Sequence, residues 1–120
     1  MWFVKRPSFI TDEAHAELLA NGHRTAGGET IDPKPVVKLF LPGSGATWLL
    51  TEVDPDDEDL AFGLCDLGAG FPELGSVRLS ELDSVRSKFG LPVERDEHFV
   101  GDKTLSAYAL DARRRGGIFV

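Results

Sequence analysis

The single cysteine, Cys65, could serve as a nucleophile only with a base and an orienting carboxylate beside it, and His98 with Asp96 are the residues able to fill those roles. Leu64 and Leu67 bracket Cys65 in an apolar run, where a buried, inert thiol is the expected state. Calcium chemistry is suggested by Asp54, Asp56 and Glu58 at the first, third and fifth positions of an EF-hand-like loop. The remainder of that pattern fails, because Asp59 stands where the turn needs glycine and Cys65 where a bidentate glutamate is required. The acidic run therefore reads as a solvated turn. His15, His23 and His98 are scattered and one cysteine cannot build a zinc cage, so no metal site is expected.

Glycine-rich pieces fare no better as phosphate or nucleophile motifs. In Gly101-Asp102-Lys103-Thr104 the lysine does not directly follow the glycine, and Asp96 takes the place of the first glycine of a phosphate loop. Gly68-Ala69-Gly70 has Glu73 where a dinucleotide fingerprint needs its third glycine. Gly43-Ser44-Gly45 lacks the spacing of a nucleophile elbow. These glycines are expected to serve turns, and no cofactor is expected.

The most unusual local feature is Cys65-Asp66-Leu67-Gly68 followed by Gly70-Phe71-Pro72-Glu73-Leu74-Gly75. A carboxylate closing a strand, then a glycine-rich loop with a second carboxylate, is where a binding site could be built. Glu94-Arg95-Asp96 is a later charged cluster held between Val93 and Phe99. Asp66 and Glu73 are expected to emerge at one edge of the sheet with Arg95 in contact with one of them, through charge-assisted hydrogen bonds. With Asp96, Trp48 and Phe71 they form the candidate binding set: Asp66, Glu73, Arg95, Asp96, Trp48 and Phe71. Two alternatives stay open in this region, since Asp66 could instead accept backbone hydrogen bonds in the turn and Trp48 could belong to the core.

The elements that must position these residues follow from periodicity and turn chemistry. Thr11, Asp12 and Glu13, then Ala14, Leu18 and Leu19, then Asn21-Gly22, predict a capped amphipathic helix over about residues 11–21. His23 to Pro35 reads as a connecting loop. Val36 to Leu41 and Thr47 to Val53, joined by Pro42-Gly43-Ser44-Gly45, make a hairpin, with Thr47, Leu49, Thr51 and Val53 on one face. After the acidic turn, Leu60 to Leu67 is apolar on both faces and predicts a central strand, and Val77 with Leu79 predicts a short fourth one. Ser80 with Asp83 suggests a capping box before a stripe of Leu82, Val85 and Phe89 ended by Gly90 and Pro92. Val93 to Val100 is an edge strand or ordered loop, and Thr104 caps a last helix carrying Leu105, Tyr108, Ala109 and Ala112, whose terminal Arg113, Arg114 and Arg115 suit its dipole. The fold class is α+β: an antiparallel meander of about four strands with three flanking helices.

A length of 120 residues suits one domain spanning residues 1–120. Net charge of −7 opposes broad nucleic-acid binding, which needs a basic surface. Trp2, Phe3 and Val4 are followed at once by Lys5 and Arg6, too short a run for a signal segment, and nothing approaches a membrane span. With one cysteine and no signal, a cytoplasmic location is the expectation.

Several stretches together resemble a known family. They are Val36-Val37-Lys38-Leu39-Phe40, Ala46-Thr47-Trp48-Leu49-Leu50-Thr51-Glu52, Ala61-Phe62-Gly63-Leu64-Cys65-Asp66-Leu67-Gly68, Pro72-Glu73-Leu74-Gly75, Gly90-Leu91-Pro92 and Glu94-Arg95-Asp96. The pattern, from about Pro35 to Tyr108, resembles the bacterial DUF2958 family of unknown function. That resemblance implies no established activity, cofactor or catalytic residue. It implies a setting among bacteria, phages and conjugative elements, which is association rather than mechanism.

The leading functional expectation is a non-catalytic binding module with a protein or small-molecule partner. Trp48, Phe71, Arg95 and the carboxylates are residue types that anchor interfaces or line pockets. A small enzyme using Asp66, Glu73 or Asp96 as acid or base is the second reading, and it needs one carboxylate buried near another. An acidic DNA mimic is the third, and the crowding of acids between Glu52 and Asp59 does not supply carboxylates spaced like phosphates over one face.

Overall fold

A computed structural model describes residues 6–120; the apolar run Trp2 to Val4 lies outside the described residues. Its elements are α1 (Asp12–Ala26), β1 (Val37–Phe40), β2 (Ala46–Asp54), β3 (Asp57–Leu67), β4 (Glu73–Arg78), α2 (Leu79–Ser84), β5 (Glu94–Arg95) and α3 (Leu105–Arg115). Five antiparallel strands lie in the order β4-β3-β2-β1-β5, so the protein is α+β as its pattern predicts. The segment after Val93 supplies the fifth strand, a two-residue edge pairing Leu39 with Arg95.

Alternation along the strands splits the apolar residues between two faces. Leu39, Trp48, Leu50 and Ala61 join Leu18 of α1 and Leu79 and Leu82 of α2 in one core. Leu49 and Leu64 face the other way and pack on Leu105, Tyr108, Ala109 and Ala112 of α3. The sheet is thus covered on both sides, which explains why β3 is apolar on both faces.

Local chemistry sets several boundaries. Thr11 caps α1 by accepting from the Ala14 amide, and Thr104 caps α3 by accepting from Ala107. Gly116, at φ +75°, closes α3 in the left-handed conformation glycine favours, just past Arg113, Arg114 and Arg115.

Helix α1 does not stop at Gly22 but runs on to Ala26. Gly22 is instead a contact residue, because a Cβ there would sit 1.8 Å from the Val53 carbonyl oxygen. Helix α2 is shorter than the Leu82-Val85-Phe89 stripe implies. It ends at Ser84, Val85 is extended, and Phe89 lies exposed. Ser80 is not its N-cap either: Asp59 of β3 accepts from both the Ser80 amide (2.9 Å) and hydroxyl (2.7 Å), capping the helix across the sheet.

Strand β2 also departs from simple alternation. Leu50 pairs with Gly63 and Glu52 with Phe62, leaving Thr51 as the extra residue of a bulge. Leu49 therefore faces α3 while Val53 faces α1, and the four-residue face from Thr47 to Val53 is broken. The bulge is anchored on both sides. The Thr51 hydroxyl donates to the Phe62 carbonyl (3.3 Å), and the Asn21 side chain donates to the Thr51 carbonyl (2.9 Å).

The 27–36 segment is tied down by α3. Leu105 donates to the Pro33 carbonyl (2.9 Å), and Asp32 accepts from the amide and hydroxyl of Ser106. Those bonds, the Ser106 hydroxyl foremost, hold Asp32 below the usual carboxylate range. Asp96 is lowered by the His98 amide first and then by Lys38, and Asp102 by the Tyr108 hydroxyl. Each carboxylate ionises more readily folded than unfolded, so its contribution is present at neutral pH and is lost as pH falls below about 4. A melting temperature that drops from pH 7 to about pH 3 is expected, with a smaller drop in Asp32→Asn; an equal drop in that variant would remove Asp32 from the account.

Candidate functional site

Asp66 is the last residue but one of β3, with its side chain on the α3 side, and it is only 3% exposed. Its carboxylate accepts from the Gly68 amide on Oδ1 (2.8 Å) and from the Ile118 amide on Oδ2 (2.9 Å). Gly117 presses so close that a Cβ there would lie 3.0 Å from Oδ2. The carboxylate that opens the glycine loop thus accepts a backbone hydrogen bond in its own turn, the alternative left open above, and a second one from the C-terminal segment, which the sequence does not announce.

Glu73 begins the edge strand β4 rather than lying in the loop, and it pairs with Cys65. Directly opposed residues share a face, so Glu73 stands on the Cys65 side and Asp66 on the other. The two carboxylates reach the same end of the sheet without converging. Phe71 is 78% exposed between them, near exposed Leu67 and Leu74, while Trp48 is 4% exposed in the α1-side core.

Arg95 contacts neither carboxylate, contrary to the sequence expectation. It sits on β5 with two strands between it and Asp66 and three between it and Glu73. At roughly 4.8 Å per strand those gaps are about 14 and 19 Å, beyond the reach of one side chain. Its ion pair is with Glu97 at 3.8 Å. Asp96 belongs to a separate group, accepting from Lys38 Nζ (3.2 Å) and the His98 amide (2.9 Å). The order of strands is the reason: the two charged clusters border opposite edges of the sheet.

The same separation disposes of the nucleophilic set, since Cys65 on β3 is remote from Asp96 and His98 beyond β5. Cys65 is half-buried rather than fully buried, packed on the α1-side core, and burial raises its thiol above the ordinary value. A raised thiol carries little thiolate at neutral pH. Labelling of the native protein with a thiol reagent should accordingly run at least about tenfold slower than after unfolding, and equal rates would show that the strand does not shield it.

The acidic run does not gather around a common point. Asp54 accepts from the Asp56 amide (2.8 Å), Glu58 pairs with His15 (2.7 Å), and Asp59 is bound to Ser80. Among the described residues no group of three or more His, Cys, Asp or Glu could hold a metal ion.

A concave site does exist, at the opposite end of β3 from Asp66. A cleft of about 530 Å³ is bounded by the end of α1 at Thr25 and Ala26, the following loop at Glu29 and Ile31, and β2 at Glu52 and Asp54. Leu60 and Phe62 of β3 form its floor, with Ser76 of β4 beyond. The Thr51 bulge and the Gly22 contact shape it: one offsets Glu52 against Phe62, and the other brings α1 down onto β2. Thr25 donates to Glu52 Oε1 (3.2 Å), and Arg24 pairs with Glu29 Oε2 (3.0 Å).

A second groove, about 720 Å³, follows β5 and is lined by Phe9, Phe40, Lys38, Arg95 and Asp96 among others. Lys38 pairs with Asp96 there (3.2 Å) and Arg95 lies 3.8 Å from Glu97, while the buried Arg95 Nε has no hydrogen-bond partner among the described residues. The helix-end signal of Asn21-Gly22 hides the last turn of α1, which carries Thr25 and Ala26 to the first cleft. The one available signal was the pairing of acidic Glu52 and Asp54 with apolar Leu60 and Phe62 across a tight turn.

The family model for DUF2958, described as a protein of unknown function, matches residues 9–119. This chain belongs to the DUF2958 family. The match takes in α1 as well as the Pro35 to Tyr108 stretch that carries the resemblance in sequence. No curated protein and no solved structure gives a significant match. In this DUF2958 chain no described helix is long and apolar enough to cross a membrane.

Proposed function

We propose that this DUF2958 chain is a non-catalytic binding module whose ligand site is the cleft between the end of α1 and the β2–β3 hairpin. The supporting observation is the cleft itself. Its volume, about 530 Å³, lies within the range of ligand-sized pockets, and a few polar groups ring a floor of Leu60 and Phe62. The candidate carboxylates weigh against the enzymatic reading, because Asp66, Glu73 and Asp96 stand on different faces or edges and no two of them share a site. Asp66 acts as a support for the C-terminal segment rather than as a contact for a partner.

Amide spectra of the isotope-labelled protein, recorded with a library of ligand-sized fragments, test this. Hits should move the Thr25, Phe62 and Ser76 amides, and Ser76→Phe should suppress them. That substitution fills the cleft from an exposed strand position opposite Phe62, where an aromatic residue is well accommodated. Hits confined to other surfaces would reject the proposal.

A further inference from the structure

Resting on that reading of the cleft, we infer that its ligand is an organic cation carrying an apolar body. Three of the residues that line the cleft are carboxylates, Glu29, Glu52 and Asp54, and none is lysine, arginine or histidine. Glu29 is engaged by Arg24, which leaves Glu52 and Asp54 as the groups facing a ligand. Each of those two is bonded on one oxygen only among the described residues, Glu52 through Thr25 and Asp54 through the Asp56 amide. A carboxylate fixed on one oxygen and unengaged on the other is oriented to accept from an ammonium or guanidinium donor.

The floor argues for the rest of the molecule. Leu60 and Phe62 are only half-buried, so apolar surface is left facing the cleft that a bare metal ion or a small hydrated amine would not cover. An anionic ligand meets two unneutralised carboxylates here in a chain that already carries a net charge of −7. The groove at β5 makes the contrast plain, because there Lys38 and Arg95 stand among the acids, whereas no basic side chain lines this cleft.

Three probes with one phenyl body separate charge from shape: phenethylammonium, 2-phenylethanol and 3-phenylpropionate, each titrated into the intact labelled protein. Saturable shifts of the Thr25, Glu52 and Phe62 amides are expected with the ammonium, and binding at least about tenfold weaker with the alcohol. The double variant Glu52→Gln with Asp54→Asn should weaken the ammonium about tenfold or more, while leaving the alcohol unchanged. Both substitutions keep an oxygen for the Thr25 and Asp56 donors, so the fold is retained. Equal binding of the ammonium and the alcohol, preference for the propionate, or an unchanged double variant would overturn the cation while leaving the cleft as the ligand site. Absence of shifts at the cleft with all three probes and with the fragment library would overturn both.

Discussion

Replacing Gly22 with alanine is expected to destabilise the protein by about 3 kcal/mol, the upper part of the range for overpacking a closely fitted contact. Helix propensity alone predicts the opposite sign, since alanine in place of an interior glycine usually gains up to about 1 kcal/mol. Contact decides the matter here. The added Cβ would lie 1.8 Å from the Val53 carbonyl oxygen and 3.0 Å from its carbon, both backbone atoms of the strand. Helix α1 must then lift from β2, and lifting it loosens Leu18 in the core and the Asn21 bond to the bulged Thr51 carbonyl. Ala16→Gly, at an exposed position of the same helix, gives the propensity cost by itself, about 1 kcal/mol. Urea unfolding of both variants reads the two values on one scale. A Gly22→Ala protein as stable as the parent would mean that α1 does not rest on β2 as closely as described.

That glycine also shows why parts of the fold were legible in the sequence and others were not. Caps and tight turns are local, so Thr11 and Thr104 mark helix starts, and Pro42 to Gly45 marks the first hairpin, from neighbouring residues alone. Asn21-Gly22 carries the same local signature as a helix end, but its meaning is set by β2, more than thirty residues further on. Ser80 and Asp83 mimic a capping box while the true cap of α2 comes from Asp59. Thr51 gives no sign that it is an extra residue, because a bulge is a property of two strands in register and not of one.

The candidate site follows the same division. The end of β3 stands out in the sequence by its carboxylate before a glycine-rich loop, and Asp66 is a buried carboxylate bonded to two backbone amides there. What engages it could not be read, since Ile118 is brought in by the docking of α3 on the far face. The expected Arg95 contact failed because adjacency in sequence pattern says nothing about which strands form the two edges. The cleft between Thr25, Glu52 and Phe62 draws on separate segments, so the sequence carries only its hairpin part, the acidic Glu52 and Asp54 set against Leu60 and Phe62, and not the end of α1 that completes it.

Asp66→Ala is expected to cost about 3 kcal/mol, which lowers the melting temperature by roughly 10–15 °C for a chain of this length. The carboxylate is buried and accepts from two backbone amides, Gly68 at 2.8 Å and Ile118 at 2.9 Å. Removing it leaves both donors without their acceptor, and an unsatisfied buried donor costs about 1–3 kcal/mol. Asp66→Asn should fall between parent and alanine, because one oxygen can still accept while the new NH₂ group faces a second amide donor. If the carboxylate instead served a ligand, its removal would leave the melting temperature nearly unchanged, so the same measurement separates the two roles. A shortened chain lacking Gly117 to Val120 supplies the decisive comparison. The Ile118 donor is then gone, so Asp66→Ala should cost about half as much in that background, the difference being the coupling between the carboxylate and the C-terminal segment. Equal costs in the two backgrounds would show that Asp66 holds only its own turn, and that the tail is fixed by the packing of Ile118 against the α3-side core.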